Sequence, residues 1–368
     1  MKKYFSILIV LCFILLTACS NGTVQNEVSS ESAEGQKKLK VYTTVYPLSY
    51  FTERIGGEFV EVESIYPPGS NEHTFEPTQQ DMIKLAEADL LFYIGFGLES
   101  FIEHAQKTLK NEKIEFVATS ANISEEKLNM STGHSHDEHS VDGEDAHTEE
   151  QHINEEGTSE SEHEHASHEE DGHEEHTEGE HASHEEDNHE EHSEIDAHVW
   201  LSPSISVDLA LSIKEALSEK MPEQVDTFEA NYQTLVQELE TLDGQFKEMA
   251  EQADTQTFFV SHAAFGYIAG EYGLHQVAIA GLNSQSEPSQ KELARIVDLA
   301  NELNIKYILF EQNVSSKLAE IIQSEVGAEA LSLHNLSVLT EEDIANNETY
   351  FTLIEQNIET LSKALGNN

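Results

Sequence analysis

Histidine is the residue type in this chain best suited to chemistry, and its twenty copies fall into two sets. Fourteen lie within residues 131–194, interleaved with 25 Asp or Glu and no Lys or Arg. There EHASHEEDGHEEH at 164–176 almost repeats as EHASHEEDNHEEH at 180–192. Imidazoles and carboxylates at this density offer many ligands to divalent metals. The segment holds only one Val and one Ile among its large aliphatics. It cannot bury enough apolar surface to offset its conformational entropy, so its composition predicts disorder and capacity for metal rather than one tight site.

Six histidines stand apart. His104, between Glu103 and Lys107 on a helical stretch, reads as a solvated surface residue, and His275, opening a strand after Gly273, as a structural one. His334 lies in the late loop LSLHNLSVLTEED. His73 in YPPGSNEHTFEPT, His198 in IDAHVWLSP and His262 in FFVSHAAFGY each follow a strand-like stretch and sit in or beside a loop. Three neutral imidazoles at about 2.0–2.1 Å and one oxygen make a tetrahedral zinc site. Spacing alone leaves two readings open, three unrelated loop histidines or one converged site, because no two of them form a short-range motif. Convergence depends on the fold.

The elements that would bring them together alternate along the chain. Strands are expected at Leu39–Val45, Phe59–Ile65, Asp89–Ile94 and Ile114–Ala118, with helices over Leu48–Ile55, Gln79–Glu87 and Leu98–Leu109 between them. A helix over Ser204–Lys220, capped by Ser202 or Ser204, is followed after Pro222 by a longer one reaching about Glu251. Four more strands follow (TFFVS, HQVAIAG, KYILFE, EALSL), alternating with helices over Ala264–Tyr272, Pro288–Leu303 and Ser315–Ser324, and a last helix spans about Glu341–Leu365. This order predicts an α/β protein of two lobes, each with a mainly parallel four-stranded sheet flanked by helices, joined by one long helix. Ligands bind at the carboxyl ends of strands in such sheets, which places the default site in the cleft between lobes. The expected boundaries are 39–200 for the first lobe, including the 131–194 insertion, 201–253 for the helical region and 254–368 for the second lobe.

Residues 1–18 pair Lys2 and Lys3 with a short apolar run, the pattern of a signal peptide. Leu16-Thr17-Ala18-Cys19 resembles the lipobox in which the cysteine carries the lipid, and residues 19–38 then read as a polar tether. Cys12 lies in the removed segment, so no disulfide or thiolate metal site is expected. With 71 acidic against 19 basic residues, the chain repels nucleic acid and attracts cations. HExxH, GxSxG, Walker A and GxGxxG motifs are all absent, which removes support for the common hydrolase and nucleotide chemistries.

PPG-x-x-x-H at Pro67–His73, H-V-W-L-x-P at His198–Pro203, V-S-H-x-A-F-x-Y at Val260–Tyr267 and E-P-S at Glu287–Ser289 together resemble the zinc-binding lipoproteins of bacterial ABC metal-uptake transporters, the ZnuA-type solute-binding family. The resemblance covers the chain from Leu39 and includes an acidic histidine-rich insertion between the first two ligand segments. It implies a lipid-anchored extracytoplasmic protein, a monomer that carries Zn(II) to a membrane permease, with His73, His198 and His262 as metal ligands. Family members often place Asp or Glu in the loop after the last strand, where this chain has Ser337, a poor zinc ligand. Glu72 or water is the expected fourth ligand, with His334 as a substitute. Three imidazoles suit zinc, with copper and nickel as chemical competitors. Because imidazole binds metal only when neutral, affinity is expected to fall as pH drops through about 6.5. A non-enzymatic carrier is the leading function; a zinc hydrolase, or a metal-buffering or adhesive lipoprotein, is the alternative.

Overall fold

The computed structural model describes residues 38–131, 195–284, 286, 288–312 and 316–366. The expected signal segment, Cys19, the tether and nearly all of the histidine-rich insertion lie outside the described residues, as does Glu287.

The first sheet is built from β1 (Leu39–Thr43), β2 (Val60–Ser64), β3 (Leu90–Tyr93) and β4 (Glu115–Ala118), in the order β2-β1-β3-β4 with every pair parallel. Helices α1 (Tyr46–Gly56), α2 (Gln79–Ala86) and α3 (Ile102–Thr108) make the crossovers, and a short α4 (Glu125–Leu128) follows β4. Pro47 sits in the first turn of α1, where the missing N–H costs no helical bond. Thr78 and Asp81 form a reciprocal capping box that starts α2 and thereby ends the long loop after β2.

Helix α5 (Pro203–Lys220) begins at Ser202, whose hydroxyl accepts from the Ile205 N–H. Next comes α6 (Val225–Glu251), 27 residues and thus about 40 Å long. Its buried residues Phe228, Tyr232, Leu235, Leu239, Leu242, Phe246 and Met249 alternate steps of four and three, a single apolar seam. That seam packs on α1 and α5, and Arg54 clamps Glu238 with bonds of 2.8 and 2.9 Å.

The second sheet repeats the first: β5 (Thr257–His262), β6 (His275–Ala280), β7 (Tyr307–Phe310) and β8 (Glu329–Ser332) run parallel in the order β6-β5-β7-β8. Its helices are α7 (Gly266–Glu271), α8 (Gln290–Glu302) and α9 (Lys317–Val326). The expected last helix is two. α10 (Glu341–Asn346) ends at Asn347, left-handed at φ 57°, and α11 (Tyr350–Ala364) restarts from a Thr349 capping box. Asn tolerates that backbone region, and the reciprocal cap satisfies the new helix's free donors.

One apolar core runs from Val41 through Trp200 and the α6 seam to Leu365, joining both sheets, while a second, smaller one fills the space beneath α8 and α9. The fully buried Trp200 indole donates to Asn335 O at 2.7 Å, and Tyr350 Oη donates to Trp200 O at 3.0 Å. These bonds fix the segment before α5 against the chain that leaves β8. Among the described residues no helix is long and apolar enough to cross a membrane.

Candidate metal centre

Three connections deliver histidines to one point. His262 is the last residue of β5, a strand buried along nearly its whole length. His198 precedes the short turn Val199–Leu201, which is anchored by Trp200 and leads into α5. His73 lies in the loop between β2 and α2, where its N–H donates to Asn71 Oδ1 at 3.0 Å in a local turn. Ring centroids are 5.3 Å apart for His73–His198, 5.2 Å for His73–His262 and 4.9 Å for His198–His262. One nitrogen from each ring falls within 4.8 Å of the others. The Nε2 atoms of His73 and His198, 125 positions apart in sequence, are separated by 3.3 Å. That matches the ligand-to-ligand edge of about 3.3 Å that a tetrahedron of 2.0–2.1 Å bonds requires.

Two of the rings are held by carboxylates. His198 Nδ1 lies 2.8 Å from Asp196 Oδ1, which also accepts the His198 N–H, while Ser131 Oγ donates to Asp196 Oδ2 at 2.6 Å. His262 Nδ1 lies 3.1 Å from both oxygens of Glu311, the residue just after β7. A carboxylate on Nδ1 fixes the ring and turns Nε2 toward a metal, the usual support for zinc-binding imidazoles. His262 Nε2 points at Leu282 O, 2.9 Å away. Both ring nitrogens face oxygen acceptors, an arrangement that favours the protonated ring.

The electrostatics are uneven. Burial, and then the neighbouring His198 and His262, push His73 down to about 3. Burial also opposes charge on His262, but the Glu311 carboxylate, its hydrogen bond and the Leu282 carbonyl outweigh it and push the ring up to about 9. Burial would raise Glu311, yet His262 and Asn335 overcome this and hold it below the usual carboxylate range. His73 and His262 are thus moved in opposite directions from the ordinary histidine value.

Glu72 is buried, and burial raises its carboxyl above the ordinary range. Its Oε1 accepts from Asn335 Nδ2 at 3.2 Å and lies 3.9 Å from His73 Nε2. Its Oε2 is buried without a hydrogen-bond partner, a costly state for a carboxylate that a cation would relieve. The other expected alternatives are engaged elsewhere. His334 accepts from the Leu336 N–H at 2.9 Å and faces Asp343 at 3.1 Å, and Ser337 Oγ donates to Asn335 Oδ1 at 2.9 Å. His104 is exposed on α3 and His275 is exposed at the start of β6.

Asp196, Glu311 and Asn335 were not among the sequence candidates. Asp196 carried a signal in D-x-H, two residues before a chosen histidine. Glu311 carried one as well, since it ends the strand-like KYILFE at the same edge of the sheet as His262.

Paired parallel sheets, a long connecting helix and a histidine cluster with carboxylate supports form an α/β scaffold around a candidate metal centre. The sequence profile described as "ZnuA: Zinc-uptake complex component A periplasmic" matches residues 41–364, and the chain belongs to this family. It is 34% identical over 329 residues to the zinc-binding protein AdcA of Streptococcus pyogenes serotype M3, covering 89% of this chain and 56% of that one. The chain thus spans little more than half the length of such relatives. It is 31% identical over 365 residues to the high-affinity zinc uptake system protein ZnuA of Bacillus subtilis, covering 99% and 98%. Among solved structures, the Zn(II)-bound ZnuA-like domain of Streptococcus pneumoniae AdcA superposes with a TM-score of 0.63 at 27% identity, covering 89% of this chain and 99% of that one.

Proposed function

We propose that this chain captures Zn(II) outside the cytoplasmic membrane and delivers it to the permease of an ABC transporter, with His73, His198, His262 and Glu72 as its ligands. The observation that carries this is the convergence of three imidazoles from distant connections, with Glu72 Oε1 3.9 Å from His73 Nε2. Three nitrogens and one oxygen make a neutral-plus-carboxylate shell suited to zinc. Membership of the zinc-uptake family and the names of the relatives support the cargo and the transport role.

Metal entry follows from the hydrogen bonds. His198, with Nδ1 held by Asp196, and His73 turn their Nε2 atoms toward one another at 3.3 Å, where an ion between them would replace their mutual contact. His262 must then lose its Nε2 proton and leave Leu282 O, while Glu311 keeps Nδ1–H in place. Zinc replaces a proton at this ring, which preserves the positive charge opposite the buried Glu311 carboxylate. With Glu72 as fourth ligand, the shell has no position for an activated water, which favours a carrier over a hydrolase.

In this account residues 39–200 and 254–368 act as the two lobes and 201–253 as the helical spacer. Cys19 anchors the chain by lipid at the extracytoplasmic face, and the protein works as a monomer. The histidine-rich insertion collects metal weakly near the site and raises its local concentration. Zinc titration of a variant lacking residues 132–194 tests the assignment. One tight zinc per chain is expected to remain there and to disappear in His198→Ala. Loss of all binding with the insertion would make the protein a buffer instead.

A further inference from the structure

We propose that Asn335 is a specificity-determining residue: it restricts the metal to a single carboxylate oxygen and so favours four-coordinate Zn(II) over oxygen-rich, six-coordinate Mn(II). The inference rests on His73, His198, His262 and Glu72 being the ligands. Asn335 is fully buried in the chain that leaves β8. Its Nδ2 donates to Glu72 Oε1 at 3.2 Å and to Glu311 Oε2 at 2.9 Å. The one amide bridges two acidic side chains of the site, Glu72 beside His73 and Glu311 on the His262 ring.

The orientation of that amide is dictated by backbone donors, which cannot reverse. The Ser337 N–H donates to Asn335 Oδ1 at 3.1 Å, joined by Ser337 Oγ at 2.9 Å. The Asn335 N–H donates to Gln312 Oε1 at 3.2 Å, which leaves the Gln312 amino group facing Asn335 Oδ1 at 3.1 Å and His334 Nδ1 at 3.0 Å. The Leu336 N–H also donates to His334 Nδ1. A flipped Asn335 would set its NH2 against three donors and its oxygen against two carboxylates. The carbonyl of Asn335 is held as well, by the Trp200 indole.

Two consequences follow for a metal. The amide competes with a metal for Glu72 Oε1, which favours ligation of this carboxylate through a single atom. Glu311 is tied to both Asn335 and His262 Nδ1, so it supports a ring rather than joining the shell. Without the amide, Glu72 is free to ligate through both oxygens and Glu311 is free to turn. The shell then gains oxygens and coordination number, which is what manganese prefers and zinc does not need.

The test uses the full chain with less than one equivalent of Co(II), whose visible bands are intense in a four-coordinate site and weak in five- or six-coordinate ones. Wild-type protein is expected to show intense bands that His198→Ala abolishes. Asn335→Asp, which replaces the donor by a third carboxylate oxygen, is expected to weaken the bands at least threefold and to shift the Mn(II)-to-Zn(II) affinity ratio at least tenfold toward manganese. Asn335→Ala adds no charge and carries the same test should the Asp variant fail to fold; it is expected to move both readouts in the same direction. Folded variants with wild-type bands and a wild-type affinity ratio would overturn the proposal, and lowered thermal stability alone would assign Asn335 a purely structural role. If His198→Ala keeps the intense bands, the ligand assignment itself is wrong and this inference falls with it.

Discussion

His73 rides on the loop between β2 and α2 of the first sheet, whereas His262 ends β5, one of the two central strands of the second. The two rings approach within 5.2 Å, yet burial and neighbouring rings lower one to about 3 while a carboxylate raises the other to about 9. The difference lies in what stands behind each ring. No carboxylate accepts from His73 in the contacts described, so desolvation decides and the ring stays neutral. Glu311 stands behind His262, and its attraction exceeds the desolvation cost. One wall of the site is thus ready to accept metal, and the other must exchange a proton for it. Residue type is the same on both walls, and the second contact sets the chemistry.

Removing a ligand breaks this comparison most strongly. If an apparent zinc binding energy of about 10–16 kcal/mol is shared among four ligands, each contributes about 3 kcal/mol, or roughly a hundredfold to a thousandfold in affinity. His262→Ala is expected to exceed His73→Ala in isothermal titration, because it also strands the Glu311 carboxylate in a buried site. Equal losses would mean that the charge pair adds nothing.

Glu311→Gln sharpens the comparison. The amide still meets His262 Nδ1 but supplies no charge, and loss of such a support costs about 10–100-fold in metal affinity. The same variant should make His262 titrate lower, so that zinc binding releases fewer protons near pH 7 than in wild type. Unchanged proton release would detach Glu311 from the high value of His262.

The pH dependence follows with a definite sign. In the metal-free protein His262 is protonated below about 9, and its Nε2 proton must leave when metal binds. Affinity should therefore rise with pH by up to about tenfold per unit between pH 7 and 9, with about one proton released per zinc, and flatten above that range. His73, lowered to about 3, contributes no slope near neutrality. Titrations in buffers of different ionisation enthalpy measure the proton count; zero at pH 7 would show that His262 is already neutral.

The smallest effect is expected at Ser131→Ala. Its hydroxyl holds the Asp196 oxygen that does not face His198, so the His198 bond survives and affinity should change by less than about fivefold, within the net worth of one hydrogen bond. A change of a hundredfold would mean that Asp196 needs both contacts to position the ring.

The repeated strand and helix periodicity made both sheets and the long helix legible, and the loops after the strands pointed to His73, His198 and His262. What stayed hidden depends on neighbours that are distant in sequence. Glu311 meets His262 because β7 lies beside β5 although β6 comes between them in the chain, and strand order is not written in local periodicity. Asn335 acquires its role only once Glu72, Glu311 and Gln312 surround it. The break at Asn347 was masked because apolar residues continue on both sides, although the Thr349 cap marks a new start.

Anomalous diffraction at the zinc edge, on crystals of the mature protein grown with limiting Zn(II), tests the central claim most directly. The account predicts one strong peak about 2.0–2.1 Å from Nε2 of His73, His198 and His262 and from one oxygen of Glu72, with Leu282 O moved off the His262 ring. A principal peak elsewhere, or one at this cluster that leaves His262 Nε2 on Leu282 O, would contradict it.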